Sequence, residues 1–389
     1  MPLSHRSQRA VYSLVIASFF TDFLLAASGL AVQNLGIYIH KAPDYALGLL
    51  GAMSAVAYTI GCLFTGALSD RYGRKRCVVA ACIMCSATWF IIPQMRSWVG
   101  VVMIVPFTGL GMSLFWPSIQ AWLAELSTDA KSLNRNLGMF NVMWSFGLTL
   151  GPLATGYLWG VNHLATFYLP GILLLGIIPL TLLTPRGQQS TAQIEAGEEP
   201  HPRADLFLRL AWIGNFTICF VGATILTLFP KLGSTLEYST ATVGWMLFSY
   251  RAAGMLMFAL VSIETRWQYR LWPMVATEAL AVIGLVFAIF AKSPVLFVLG
   301  FALAGACAGV TYVASLFYSL HGNKHEKGHM SGLHEAVLGS GMFLGPLVGG
   351  FAAQATNLRA PYIVCMIALG IAITWQILWY QKANRRLEQ

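Results

Sequence analysis

Twelve apolar stretches, each about the length needed to cross a bilayer, recur along this chain of 389 residues with mostly short polar breaks between them. A helix rises 1.5 Å per residue, so a hydrocarbon core of roughly 30 Å needs about 20 residues. The stretches run 11–39, 45–69, 76–95, 98–124, 136–160, 164–184, 206–230, 241–263, 271–291, 294–320, 332–355 and 360–380. In lipid every backbone N–H and C=O must be bonded within its own segment, so runs of this length become helices. Only 10% of the residues are charged, against about 25% in a soluble domain. That is too few to build a water-soluble surface. The 37 glycines suit helices that pack closely in lipid. The expected fold class is an all-α membrane protein with 12 transmembrane helices. The first run starts near Val11 and exceeds the length of a signal h-region, so it is read as the first span.

One break is long. Residues 185–205 are polar, proline-bearing and acidic in their middle, and are read as a flexible linker, with a surface-lying amphipathic helix as the alternative. The expected organisation is 1–184 as one six-helix bundle, 185–205 as a cytoplasmic linker and 206–389 as a second six-helix bundle. The formal charge of +9 would suggest nucleic acid on a soluble protein; here the basic residues stand between spans and report topology. With the N-terminus inside, only Lys41, Arg96, Lys231, Lys292 and Arg359 of the 24 Lys and Arg face out, Arg251 lies within a span, and the other 18 face the cytoplasm. Both termini are therefore expected in the cytoplasm, in a multi-pass inner (plasma) membrane protein.

The two halves repeat. Gly147-Leu-Thr-Leu-Gly151-Pro152 in the fifth span returns as Gly341-Met-Phe-Leu-Gly345-Pro346 in the eleventh, a shift of 194. A shift of 196 lays Gly48 on Gly244, Arg74 on Arg270 and Gly109 on Gly305. A nearly constant offset indicates an internal duplication of six helices, a common build for transporters with a midplane site.

Between the second and third spans stands Gly66-Ala-Leu-Ser-Asp70-Arg71-Tyr-Gly73-Arg74-Lys75-Arg76. Gly66 lets the helix end approach a neighbour, Gly73 makes a tight turn, Asp70 caps the next helix or pairs with an Arg, and Arg71, Arg74 and Lys75 hold the loop on the cytoplasmic face. These residues match in full the G-x-x-x-D-R-x-G-R-K-R signature of the major facilitator superfamily, and the chain resembles that family over nearly its whole length. The resemblance implies two pseudo-symmetric six-helix bundles and a conformational latch at this loop. A second family pattern, G-x-x-x-G-P-x-x-G-G, is complete at Gly341, Gly345, Pro346, Gly349 and Gly350; the earlier copy, Gly147, Gly151, Pro152 and Gly156, departs at Thr155. In the family the fifth-helix copy goes with exporters and antiporters, and the motif pattern is closest to drug/proton antiporters; an ordinary small-residue packing seam is the plainer account. Two further departures stand out. The latch counterpart is worn to Ser262-Ile-Glu264-Thr-Arg266-Trp-Gln-Tyr-Arg270, and Val105 occupies the place of the arginine in the exporters' R-x-x-x-G-x-G.

A charge at the centre of a span costs roughly 2.5–3.5 kcal/mol on insertion scales, so each asks for a reason. Asp22 lies about 16 Å into the first span, near mid-bilayer; in the family this helix lines the cavity. It is read as a proton-coupling group or cation anchor, or else as a satisfied structural carboxylate. Arg251 in the eighth span anchors an anionic substrate or neutralises a carboxylate. His334 and Glu335 open the eleventh span as proton carriers or as a polar pair at the helix start, and Asn141 is the duplicate position of Glu335. Trp116, Gln120, Trp144 and Tyr312 complete the candidate substrate cavity, their aromatic faces suiting amphipathic or cationic organic ligands. Glu278, on a helix peripheral in the family, is assigned a structural role. Cys82 and Cys85, a C-x-x-C inside an apolar run, are read as buried hydrophobes. His321, His325 and His329 recur at every fourth residue, but Gly322 and Gly328 interrupt the helix and Lys324 and Lys327 repel a cation, so no metal site is expected.

No phosphate loop, G-x-S-x-G, H-E-x-x-H or cofactor fingerprint is found. The expectation is a non-enzymatic, cofactor-free secondary transporter of a small organic solute, working by alternating access as a monomer with protons and the lipid bilayer as its other partners, and exporting against inward proton flow. The alternatives are organic-anion uptake or exchange centred on Arg251, and a membrane sensor that kept the fold.

Overall fold

Every apolar stretch is helical in the computed structural model, which describes residues 5–127, 130–185, 201–321 and 327–387. The first span is α1 (His5–Asn34), closed by a wider π-helical turn, Leu35–Ile39. Then follow α2 (Asp44–Tyr72), α3 (Arg74–Ile91), α4 (Trp98–Ile104), α5 (Pro106–Glu125), α6 (Ala130–Val161), α7 (Ala165–Leu175) and α8 (Ile177–Leu183). The second half holds α9 (Ala204–Thr235), α10 (Thr240–Ile263), α11 (Trp272–Phe290), α12 (Pro294–His321), α13 (Lys327–Ala355) and α14 (Ala360–Leu387). Among the described residues there is no strand, and twelve spans are long and apolar enough to cross a membrane.

Fourteen helices make twelve spans because two spans are broken. Pro106 lacks an N–H and starts α5 directly after Val105, which still bonds back to Val101. The sixth span is interrupted at Gly176, between α7 and α8, where Pro179 lacks the N–H that would bond the Leu175 carbonyl one turn back.

The described chain forms two compact units, residues 1–40 with 53–196, and 41–52 with 197–389. The N-terminal end of α2 thus belongs with the second unit, where the Asp44 N–H donates to Gln354 Oε1 at 3.1 Å and Tyr45 stacks on Phe351. The duplication is visible in the packing of each unit. In the first, Gly147 and Gly151 of α6 lie on the α1 backbone at Phe19–Phe23 and Phe23–Ala27; in the second, Gly341 and Gly345 of α13 lie on the α9 backbone at Phe216–Phe220 and Phe220. Gly109 of α5 meets α2 at Ser54, and Gly305 of α12 meets α10 at Tyr250. A Cβ at any of these six glycines would collide with the neighbouring main chain. Pro152 and Pro346 both sit inside continuous helices.

Most of residues 185–205 and the middle of the histidine loop fall outside the described residues, as do the side chains of His321 and His329.

Candidate transport site

Asp22 is 2% exposed and lies on the α1 face that α6 covers. A methyl group placed on Gly147 would reach the Asp22 Cβ at 3.2 Å, so the glycine of the seam is what allows α6 to lie over the carboxylate. Thr155, where the repeat pattern has glycine, donates its hydroxyl to the Ala27 carbonyl of α1 at 2.7 Å. The departure from the motif therefore adds an interhelical hydrogen bond to the same seam. Also on α6, Trp144 Nε1 donates to Asn141 Oδ1 at 3.0 Å, three residues back on the helix. Trp116 of α5 is held edge-on between Phe115 and Phe140, with centroids at 5.2 and 5.6 Å, while Gln120, one turn along, is exposed. The first unit thus sets a buried carboxylate on α1 and, on α5 and α6, two half-buried tryptophans beside two amides.

In the second unit His334 and Glu335 part company, as adjacent helical residues do. His334 is fully buried; its Nδ1 shares a hydrogen bond with Ser315 Oγ of α12 at 2.8 Å, and the Tyr312 ring stands edge-on to it at 5.4 Å. Glu335 is half-buried, as is Arg251 of α10, whose guanidinium lies 6.0 Å from the Tyr250 ring. The Cys219 thiol of α9 is within electrostatic reach of both Arg251 and Glu335, so these two opposite charges serve one region of this unit. Among the described residues no cluster of three or more His, Cys, Asp or Glu could hold a metal.

The loop between the second and third spans is organised around Arg74. Its guanidinium pairs with Asp70 Oδ1 at 2.5 Å and with Glu125 Oε1 at 2.9 Å, and donates to Ser69 Oγ at 3.0 Å; Ser69 in turn bonds Ser118 at 2.8 Å. Asp70 therefore pairs and does not cap, and the residue before α3 is Gly73 with φ at +88°, a conformation open to glycine. Lys75 donates to the Leu182 carbonyl at the end of α8 (2.7 Å) with its ammonium 5.9 Å from the Trp122 ring, and Arg71 covers Tyr72. Gly66 does not make the close approach expected of it, since an added Cβ meets nothing within 4 Å; the tight approaches between α2 and α5 are Gly61 against Ser113 and Gly109 against Ser54. Glu125 escaped the sequence reading because its partner lies 51 positions away and only helix packing joins them. The worn counterpart is looser. Glu264 accepts from the Arg266 N–H at 2.8 Å, a bond that holds its carboxyl below the usual range, and the guanidinium is 3.7 Å away on an exposed surface.

Glu278 is fully buried in the second unit, and its Oε1 accepts from Gln376 Nε2 at 2.8 Å.

The comparisons with known proteins bear on the same architecture. The chain is 25% identical over 139 residues to an uncharacterized MFS-type transporter of Mycobacterium tuberculosis, a match spanning 36% of this chain and only 30% of that relative. Longer matches are the inner membrane transport protein YdiN of Escherichia coli (23% identity, 94% of this chain and 90% of the relative) and multidrug resistance protein 1 of Bacillus subtilis (22%, 93% and 96%). Among solved structures, a bacterial homologue of the human lysosomal transporter Spinster shares the fold with a TM-score of 0.79 over 97% of both chains at 14% identity. The nucleoside transporter NupG does so at 0.72 over 96% of this chain and 98% of that one, at 13%. The sequence profile of the Major Facilitator Superfamily matches residues 12–319 and 211–388, so with its twelve spans in two repeated halves this chain belongs to that superfamily of membrane transporters.

Proposed function

We propose that the chain is a secondary transporter that moves a small organic solute out of the cell in exchange for protons. The observation that carries the reading is Asp22, a carboxylate 2% exposed on α1 in a chain with no nucleotide-binding motif to drive transport. A buried carboxylate is costly when charged and so readily takes up a proton. If access to it alternates between the two sides, each cycle loads and releases one proton. The glycine seam of α6 over α1 supports the outward direction, as does likeness to relatives named multidrug resistance proteins. The aromatic and amide groups Trp116, Gln120, Asn141, Trp144 and Tyr312 suit an organic solute, with Asp22, Glu335 and His334 as the proton-carrying set. On this reading the protein works as a monomer in the inner membrane.

Everted vesicles test this. With a respiratory proton gradient and a fluorescent amphipathic cation as probe, vesicles containing the chain should accumulate the dye, and an uncoupler should release it. A second reading has its own support: Arg251 is half-buried beside Tyr250, and a guanidinium in that setting suits a carboxylate or phosphate. Indifference to cationic and neutral probes together with counterflow of an organic anion, lost in Arg251→Ala, would replace export with anion exchange.

A further inference from the structure

The second unit contains a buried polar cluster that the transport site does not use. Glu278 of α11 and Gln376 of α14 are both 0% exposed. Gln376 Nε2 donates to Glu278 Oε1 at 2.8 Å and to the Leu210 carbonyl at 3.1 Å. That carbonyl can only accept, so the amide must turn its NH2 toward the carboxyl. Two buried polar atoms of the pair remain without a hydrogen-bond partner, Glu278 Oε2 and Gln376 Oε1. Glu278 Oε1, Gln376 and Thr311 of α12 all converge on Gly214, where a side chain would displace them.

On α12, Thr311 donates its hydroxyl back to the Cys307 carbonyl at 3.0 Å, and its methyl carbon is the atom nearest Gly214. The groups facing Glu278 are few. From α9 comes the backbone of Gly214; from α14, Gln376; from α12, the Thr311 methyl and the Cys307 thiol, which is close enough to feel a charge there. None is a cation.

An ionised carboxylate with one hydrogen-bond donor in such a site loses several kcal/mol of hydration that nothing replaces. A metal cation would compensate it, but the NH2 of Gln376 pointing at the carboxyl opposes one. A proton on Oε2 satisfies the charge balance directly.

We propose that Glu278 is a proton-binding site of the second unit, distinct from Asp22. With a proton on Oε2 the group carries no charge; release of that proton to water leaves a carboxylate held by the Gln376 amide alone. The step transfers one proton and no other bond changes. The proposal adds a second proton site to the export reading, but its test needs no transport.

The test is infrared pH-difference spectroscopy on the purified full chain in lipid nanodiscs. Wild type should show a titrating carboxylic-acid C=O band that persists in Asp22→Asn and disappears in Glu278→Gln. A band unchanged in Glu278→Gln, or lost in Asp22→Asn, would assign the proton elsewhere. If Glu278→Gln does not fold, Gln376→Met serves instead: it removes the donor and keeps the carboxyl, so the band should move to higher pH, and an unmoved band overturns the assignment. Gradient-driven flux surviving in Asp22→Asn would defeat the export mechanism while leaving this band, and the proposal, intact.

Discussion

Asp22 and Arg359 illustrate how differently two charged residues meet a membrane protein. Asp22 is enclosed between α1 and α6. If it carries the coupling proton, Asn in its place should abolish gradient-driven flux, while exchange of a neutral or anionic substrate at equal pH survives. Unfolding would signal a structural carboxylate instead, and a melting curve taken with both assays separates the two. Arg359 works at a helix end. Its guanidinium donates to the carbonyls of Ala288 (3.0 Å), Ile289 (2.6 Å) and Ala291 (2.7 Å), filling acceptors that the C-terminus of α11 leaves open. Arg359→Ala should cost about 2 kcal/mol or more, read as a lower melting temperature with substrate binding unchanged. Asp22 was legible in the sequence because a lone charge in an apolar run stands out against its neighbours. Glu125, Gln376 and the capping role of Arg359 were not, since each takes its meaning from a residue 51 to 98 positions away that only the packed fold brings near.

At the scale of the helix, glycine spacing carried the most information. The seams of α6 on α1 and α13 on α9 were legible as paired motifs, and each glycine faces neighbouring main chain. Gly147→Leu or Gly345→Leu should therefore force the helices apart, a cost of about 1–3 kcal/mol from overpacking, whereas Gly66→Leu, facing open space, should leave melting unchanged. Equal loss from all three would contradict the packing. The breaks at Val105–Pro106 and Gly176 were not anticipated, because hydropathy averages over a whole span and does not register one missing hydrogen bond. The latch loop is testable by a double-mutant cycle. Arg74 and Glu125 are each about one-fifth exposed, so Arg74→Gln and Glu125→Gln should be non-additive by about 1 kcal/mol in stability. If the loop biases the conformational equilibrium, both should lower transport rate more than substrate affinity.

At the scale of the whole chain, the strongest remaining expectation is topology. Eighteen Lys and Arg were assigned to one side and five to the other, an asymmetry that sets orientation during insertion and that a bundle of helices does not itself reveal. Twelve spans require both termini on the same side, and the basic excess predicts that this side, with the linker, is the cytoplasm. Chemical labelling can read this with little background, since five of the seven native cysteines are buried and Cys62 and Cys219 are partly so. Lys41 and Lys292 are exposed at segment ends assigned to the outside, and Lys41→Cys and Lys292→Cys should react in intact cells with a membrane-impermeant maleimide. Gln193→Cys in the linker should react only after permeabilisation. The pairing makes the experiment decisive: inversion of the whole protein would exchange the two patterns, whereas an odd number of spans between Lys41 and Lys292 would put them on opposite sides. Either result would remove the inside-facing linker and, with it, the assignment of proton entry and solute exit to particular ends of the helices.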